Sequence, residues 1–305
     1  MRKTSVCNNL RQIVSLCAVS ALLFATATQL ESQTAVNSRD YTAPSTQGTA
    51  QSSVYSGVCS AAYKPGNYGF IGLGQELASN PFGEPAGPIA SLLVVSSNGD
   101  GTLTVQRTDF ANGVLVATPT VPGTYVVGDD CTIRDTIPLP TGGALSALTG
   151  YGVIVQDGAE VDYTATTPGV VIQNYVGRKM PEHCTNGTLE GAYGFSGNGT
   201  MLSTSSWGSS AGPLTTIGTL YFDGTGSFRK ENEQAFINGG LFPIDTSTGN
   251  YSISADCRLT ITATSTDDFT AIGLVVDGGE SVDVMPTMPG VVVETIVAKK
   301  ITKTQ

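Results

Sequence analysis

Any chemistry in this chain has to be built almost without imidazole. Its 305 residues include one histidine, His183, in the connector Pro181-Glu182-His183. A serine or cysteine nucleophile needs a base beside it, most often histidine. A lone linker histidine argues against such a system, and against a histidine-built metal site. Carboxylates are more promising, because they recur in two groups: Asp157, Glu160 and Asp162, then Asp277, Glu280 and Asp283. Paired carboxylates can serve as acid and base on a glycosidic bond, or as calcium ligands. Here Asp157 and Asp277 fall at turns, where aspartate is common. Asp162 and Asp283 flank strands with alternating apolar partners, which predicts an outward, solvated face. Asp223-Gly224-Thr225-Gly226 has the wrong order for an aspartic protease and reads as a hairpin turn. No catalytic residue, metal ligand or cofactor is expected.

Side chains that could bind rather than react are aromatic. Tyr68 and Phe70 alternate on one segment, as do Tyr193 and Phe195 on another. Alternate residues of a strand point the same way, so each pair lines a core or the lumen of a barrel, where it could hold an apolar ligand. Trp207 lies in the serine-rich loop Ser205-Ser206-Trp207-Gly208 and is a candidate ligand contact or lid.

The elements that carry these residues come in duplicate. Cys59, Tyr68, Phe70, Gly87, Pro88, Gly99 and Gly101 recur 125 positions later as Cys184, Tyr193, Phe195, Gly212, Pro213, Gly224 and Gly226. Gly123, Tyr125 and Cys131 recur 126 later as Gly249, Tyr251 and Cys257, and Pro168 to Val171 recur 121 later as Pro289 to Val292. Copies of about 120 residues are each long enough for their own core. Both are rich in Gly, Val, Ile, Thr and Tyr and lack helical periodicity. Turns at Asn98-Gly99, Asp223-Gly224, Asp157-Gly158 and Asp277-Gly278 divide them into about seven or eight antiparallel strands. Two tandem β-barrels of about eight strands each are expected, because closure pairs first with last strand and removes exposed edges. Two β-sandwiches are the alternative.

The ends and the charge set the compartment. Arg2, Lys3 and Arg11, the apolar run Ile13 to Phe24 and the small residues Ala25-Thr26-Ala27 form a secretory signal over residues 1–27. No later stretch reaches the roughly 18 apolar residues of a membrane helix, so no span is expected after cleavage. Residues 28–58 read as a flexible Ser/Thr/Gln-rich lead, followed by repeat 1 over 59–180, a connector at 181–183 and repeat 2 over 184–305. With the signal removed, 12 basic residues stand against 25 acidic ones. That balance excludes nucleic acid as the expected partner. Cys59, Cys131, Cys184 and Cys257 are left, two per repeat at matched positions. Of the three possible pairings, Cys59–Cys131 and Cys184–Cys257 keep each repeat self-contained.

The second copy resembles a set of secreted bacterial proteins, mostly of unassigned activity. The resemblance rests on Tyr193-Gly194-Phe195, Phe222-Asp223-Gly224-Thr225-Gly226, Gly249-Asn250-Tyr251, Asp256-Cys257, Asp277-Gly278-Gly279 and Pro289-Gly290-Val291-Val292. The first copy departs from it, with Ser97-Asn98 in place of Phe-Asp. The pattern is also similar to the eight-stranded barrels of allene oxide cyclases and dirigent proteins, which implies a fold and carries over no catalytic residue. Three functions fit these readings. The leading one is a non-catalytic binding or structural module of the envelope or extracellular space. The second is a cyclase, isomerase or dirigent-like guide for a small apolar substrate in the lumen. The third is a surface adhesin acting through the loop 203–210. A small apolar ligand or an envelope component is the partner these imply.

Overall fold

The computed structural model describes residues 59, 65–77, 84–139, 146–203, 211–264 and 269–302. The signal sequence, the lead and the Trp207 loop lie outside the described residues. Among the described residues, nine strands make up the first repeat: β1 (Gly66–Glu76), β2 (Gly87–Ser97), β3 (Thr102–Ala111), β4 (Val114–Ala117), β5 (Val121–Val127), β6 (Thr132–Pro138), β7 (Ala147–Val155), β8 (Glu160–Ala165) and β9 (Val171–Lys179). The second repeats them as β10 (Glu190–Met201), β11 (Gly212–Asp223), β12 (Ser227–Ile237), β13 (Gly240–Ile244), β14 (Ser247–Ile253), β15 (Arg258–Ala263), β16 (Thr270–Val276), β17 (Ser281–Pro286) and β18 (Val292–Lys300).

Every pairing is antiparallel, and each sheet closes on itself. β1 pairs with β2 on one side and with β9 on the other. β10 does the same with β11 and β18. Eight strands close each barrel; β4 and β13 hang on β3 and β12 as short extra hairpin strands. Closure leaves no long strand edge to template aggregation.

The turn chemistry explains the strand ends. Gly99 and Gly224 take φ of 78° and 77°, the left-handed region that a side chain disfavours. The Asp223 carboxylate accepts the backbone N–H groups of Thr225, Gly226 and Ser227 at 2.8 to 2.9 Å. These bonds and the Thr225 hydroxyl hold it well below the usual carboxylate range. Disulfides Cys59–Cys131 and Cys184–Cys257, with Cα separations of 4.9 and 5.0 Å, clip the segment before each first strand to a turn further along its own barrel. Intact mass spectrometry of the protein purified from its own cells, with and without reduction, is expected to show two hydrogens gained per disulfide on reduction. Free thiols without reductant would exclude both bonds.

Inward residues of each barrel form its core. In the first, Tyr68, Phe70, Leu93, Val105, Tyr125 and Ile154 are among them. The second is filled by Tyr193, Phe195, Phe222, Tyr251, Leu259 and Val284 with their neighbours. The barrels also share an apolar seam. β1 and β2 pack on β16, β17 and β18, and outward Ile71, Leu92 and Phe110 join the cluster that contains Leu274, Met285 and Val293.

Candidate functional site

Four of the aromatic candidates are now placed. Tyr68 and Tyr193 are wholly buried, Phe70 and Phe195 nearly so, all facing their lumens. The two tyrosines have a structural task. Tyr68 donates its hydroxyl to the Gly158 carbonyl at 2.9 Å, and Tyr193 donates to Gly279 at 2.7 Å. Each therefore ties the first strand of its barrel to the turn of the second hairpin, 90 or 86 residues away. Burial pushes both phenols up, Tyr193 to about 12. The departure at Ser97 is explained as well. In the second barrel Phe222 stacks edge-on between Tyr193 and Tyr251, at 5.5 and 5.0 Å. In the first, the Ser97 hydroxyl donates to Tyr125 at 3.0 Å. The fifth candidate, Trp207, lies outside the described residues.

Sequence reasoning missed a set of polar side chains inside the lumens. In the first barrel Tyr175 donates to Gln173 at 2.5 Å, and Gln173 donates to Ser91 at 2.8 Å. Ser91 donates to Asp109 through a close hydrogen bond. Arg107 pairs with Asp109 at 2.6 Å and with Glu84 at 3.4 Å. In the second barrel the corresponding position holds Thr216, which donates to Glu294 at 2.5 Å. Lys230 pairs closely with Glu233 and stands 4.8 Å from the Phe269 ring centre. So each lumen carries a hydroxyl bonded to a carboxyl or carboxamide, beside a cation paired to a carboxylate. Burial pushes Glu294 up to about 7, against the lowering effect of the Thr216 bond.

This equipment has little room to act. The cavity beside Thr216, Lys230 and Glu294 measures about 50 Å3, and so does the one beside Arg107, Tyr163 and Tyr175. At roughly 10–15 Å3 per water, each has space for about four waters, whereas ligand pockets run to about 300 Å3 and more. Ser91 bonds the Asp109 carboxylate, but Arg107 pairs with that carboxylate and both the Ser91 and Asp109 side chains are fully buried, out of reach of a substrate. The arrangement can bind a few waters and hold the strands in register.

Three of the six carboxylates flagged in the sequence, Glu160, Asp277 and Asp283, converge between the barrels. Arg178, at the end of β9, binds Glu160 at 3.0 Å and Asp283 of the other barrel at 3.0 Å, with Asp277 at 3.8 Å. Asp162 lies on an exposed outward face as expected. Asp283 points outward too, but the first barrel covers that face and buries it completely, which corrects the expectation of a solvated side chain. Burial pushes its carboxyl up to about 7, with Arg178 pulling it down. Beside the seam a larger groove of about 550 Å3 opens on the outside, walled by Ile71, Leu73, Tyr151, Val153, Val176 and Val297 with Asn174, Asn198 and Thr295.

No family model matches the chain, and no curated protein matches it. Among solved structures, isotype 1 transferrin binding protein B from serogroup B Neisseria meningitidis aligns over 78% of this chain and 77% of its own, at 8% identity and a TM-score of 0.26. A mutant of transferrin binding protein B from Haemophilus parasuis Hp5 aligns over 79% and 77%, at 9% identity and a TM-score of 0.29. Superpositions this loose carry no inference about this chain. Neither structure is an allene oxide cyclase or a dirigent protein.

Proposed function

We propose that the chain is an exported module that works through the outside of its two barrels, as a binding or structural component of the envelope or extracellular space, with no catalysis in the lumens. One observation carries this reading: both lumens are filled, and their cavities of about 50 Å3 are far below the size of a ligand pocket. A much larger concavity, of about 550 Å3, is on the outer surface. The amino-terminal signal pattern and the disulfides support an oxidising compartment outside the cytoplasm. An envelope component is the partner class that fits an outer-face binder.

A cyclase, isomerase or dirigent-like role on a small apolar substrate is the second reading. It draws on the buried pairs Gln173–Ser91 and Thr216–Glu294, which recur at one height in each lumen. It needs a lumen that opens well beyond the cavity seen. Native mass spectrometry of the mature protein from its own cells separates the two. The expected result is a bare polypeptide mass. A stoichiometric small molecule released on denaturation would overturn the outer-face reading in favour of the lumen.

A further inference from the structure

The strand registers let the outer faces of the two barrels be compared residue by residue. Phe110 pairs with Ala90 and Leu115 in the first barrel, and Phe236 pairs with Thr215 and Leu241 in the second. Leu92, two residues along β2 from Ala90, therefore corresponds to Ile217. Val153 pairs with Asp162, and Leu274 with Asp283. Tyr151, Val153 and Ile172 thus correspond to Ile272, Leu274 and Val293. Within the chain, the β1–β3 face of the first barrel covers the β16–β18 face of the second. The two faces are different surfaces, so the contact is head to tail and uses each face only once.

That leaves one face of each kind open. On the second barrel Ile217 and Phe236 are 57% and 50% exposed, whereas their counterparts Leu92 and Phe110 are buried at the seam. On the first barrel Tyr151, Val153 and Ile172 are 36%, 39% and 65% exposed. The seam also pairs Arg178 with Asp283, and Asp162, the counterpart of Asp283, is exposed on the open face of the first barrel.

We propose that the protein associates head to tail with a second copy of itself, the β10–β12 face of one copy seating on the β7–β9 face of the next and repeating the internal seam. This rests on the reading that the outer faces do the binding, and names their partner. The open contact is weaker than the internal one, because Ser196 and Asn198 stand where the seam has Ile71 and Leu73. Since a free face remains at each end, the product is a short chain or a ring rather than a closed two-fold dimer.

Sedimentation of the mature, disulfide-bonded chain up to about 200 µM tests this, in the range of weak reversible contacts. The mass is expected to rise with concentration past that of two chains. Phe236→Glu and Ile172→Glu, both at exposed positions, should each weaken association by at least about tenfold. An equimolar mixture of the two variants should recover a pair and stop there, since each supplies the face the other lacks. A single-chain mass at every concentration would overturn the proposal. So would association that survives both variants, or a mixture that does not pair. A bare mass in the native experiment above would stand through any of these outcomes.

Discussion

Glu294→Gln is expected to raise the unfolding free energy at pH 8 by about 3 kcal/mol and to leave it nearly unchanged at pH 4. The Glu294 carboxyl is fully buried in the second lumen, and burial pushes it up to about 7 from a reference value of 4.5. Between those values the folded chain keeps a proton that the unfolded chain has released. Stability therefore falls as the pH rises from about 4.5 to about 7, and the loss is complete above that. A shift of this size corresponds to about 3 kcal/mol at about 1.4 kcal/mol per pH unit. Glutamine mimics the protonated acid and has nothing to titrate. The repeat has already made this exchange, since Gln173 occupies the position in the first barrel and bonds Ser91. Urea unfolding followed by circular dichroism at pH 4, 6 and 8 measures the effect. Asp283, also pushed up to about 7, should keep part of the slope in the variant. The four exposed or nearly exposed carboxylates held low by turn bonds, Asp100, Asp130, Asp223 and Asp256, act with the opposite sign and only at lower pH. A variant no more stable than the parent at pH 8 would show that Glu294 is not under strain.

What could be read from the sequence was what local chemistry sets. The turn glycines, the matched cysteines and the alternation of Tyr68 with Phe70 led to strands, disulfides and closed barrels, because each follows from a few adjacent residues and repeats. The lumen network was passed over because a search for shared residues looks for identity. Ser91 corresponds to Thr216 and Gln173 to Glu294, a like-for-like exchange of hydrogen-bonding groups that keeps the contact and changes the letter. An irregularity between Ile217 and Thr219 in the β11–β12 register also shifts the alignment, so that Arg107 falls opposite Glu233. Asp283 was read correctly as outward-facing, but what covers an outer face is decided by a second barrel more than 100 residues away in the chain. A signal was present: β16 and β17 are apolar on both faces, Ala271-Ile272-Gly273-Leu274-Val275-Val276 and Val282 to Pro286 around Asp283, the mark of strands buried on two sides. The matching β8, Glu160-Val161-Asp162-Tyr163-Thr164-Ala165, has a wetter outer face and stays exposed there.

The seam makes Arg178 the residue whose loss should cost most. Arg178→Ala is expected to destabilise the protein by about 4 kcal/mol, because removing one partner of a buried ion pair leaves the other charge uncompensated. The Asp283 side chain is completely covered, and one of its oxygens bonds Arg178 at 3.0 Å. Without the guanidinium that carboxyl can escape only by holding a proton. The deficit should therefore be larger at pH 8 than at pH 5, where protonation is easy. Glu160 and Asp277 also lose their partner but reach water, so they add little. Arg178→Met combined with Asp283→Asn removes both charges and keeps most of the volume, and should recover much of the loss. Denaturation curves for the parent, Arg178→Met, Asp283→Asn and the double variant form the cycle that isolates the interaction. The barrels' own cores are untouched by these changes, so the weakened seam should also appear as faster proteolysis of the connector at 181–183 while each barrel resists. A double variant no more stable than Arg178→Met alone would mean that the charge left on Asp283 costs nothing, and that the ion pair across the seam contributes nothing of its own.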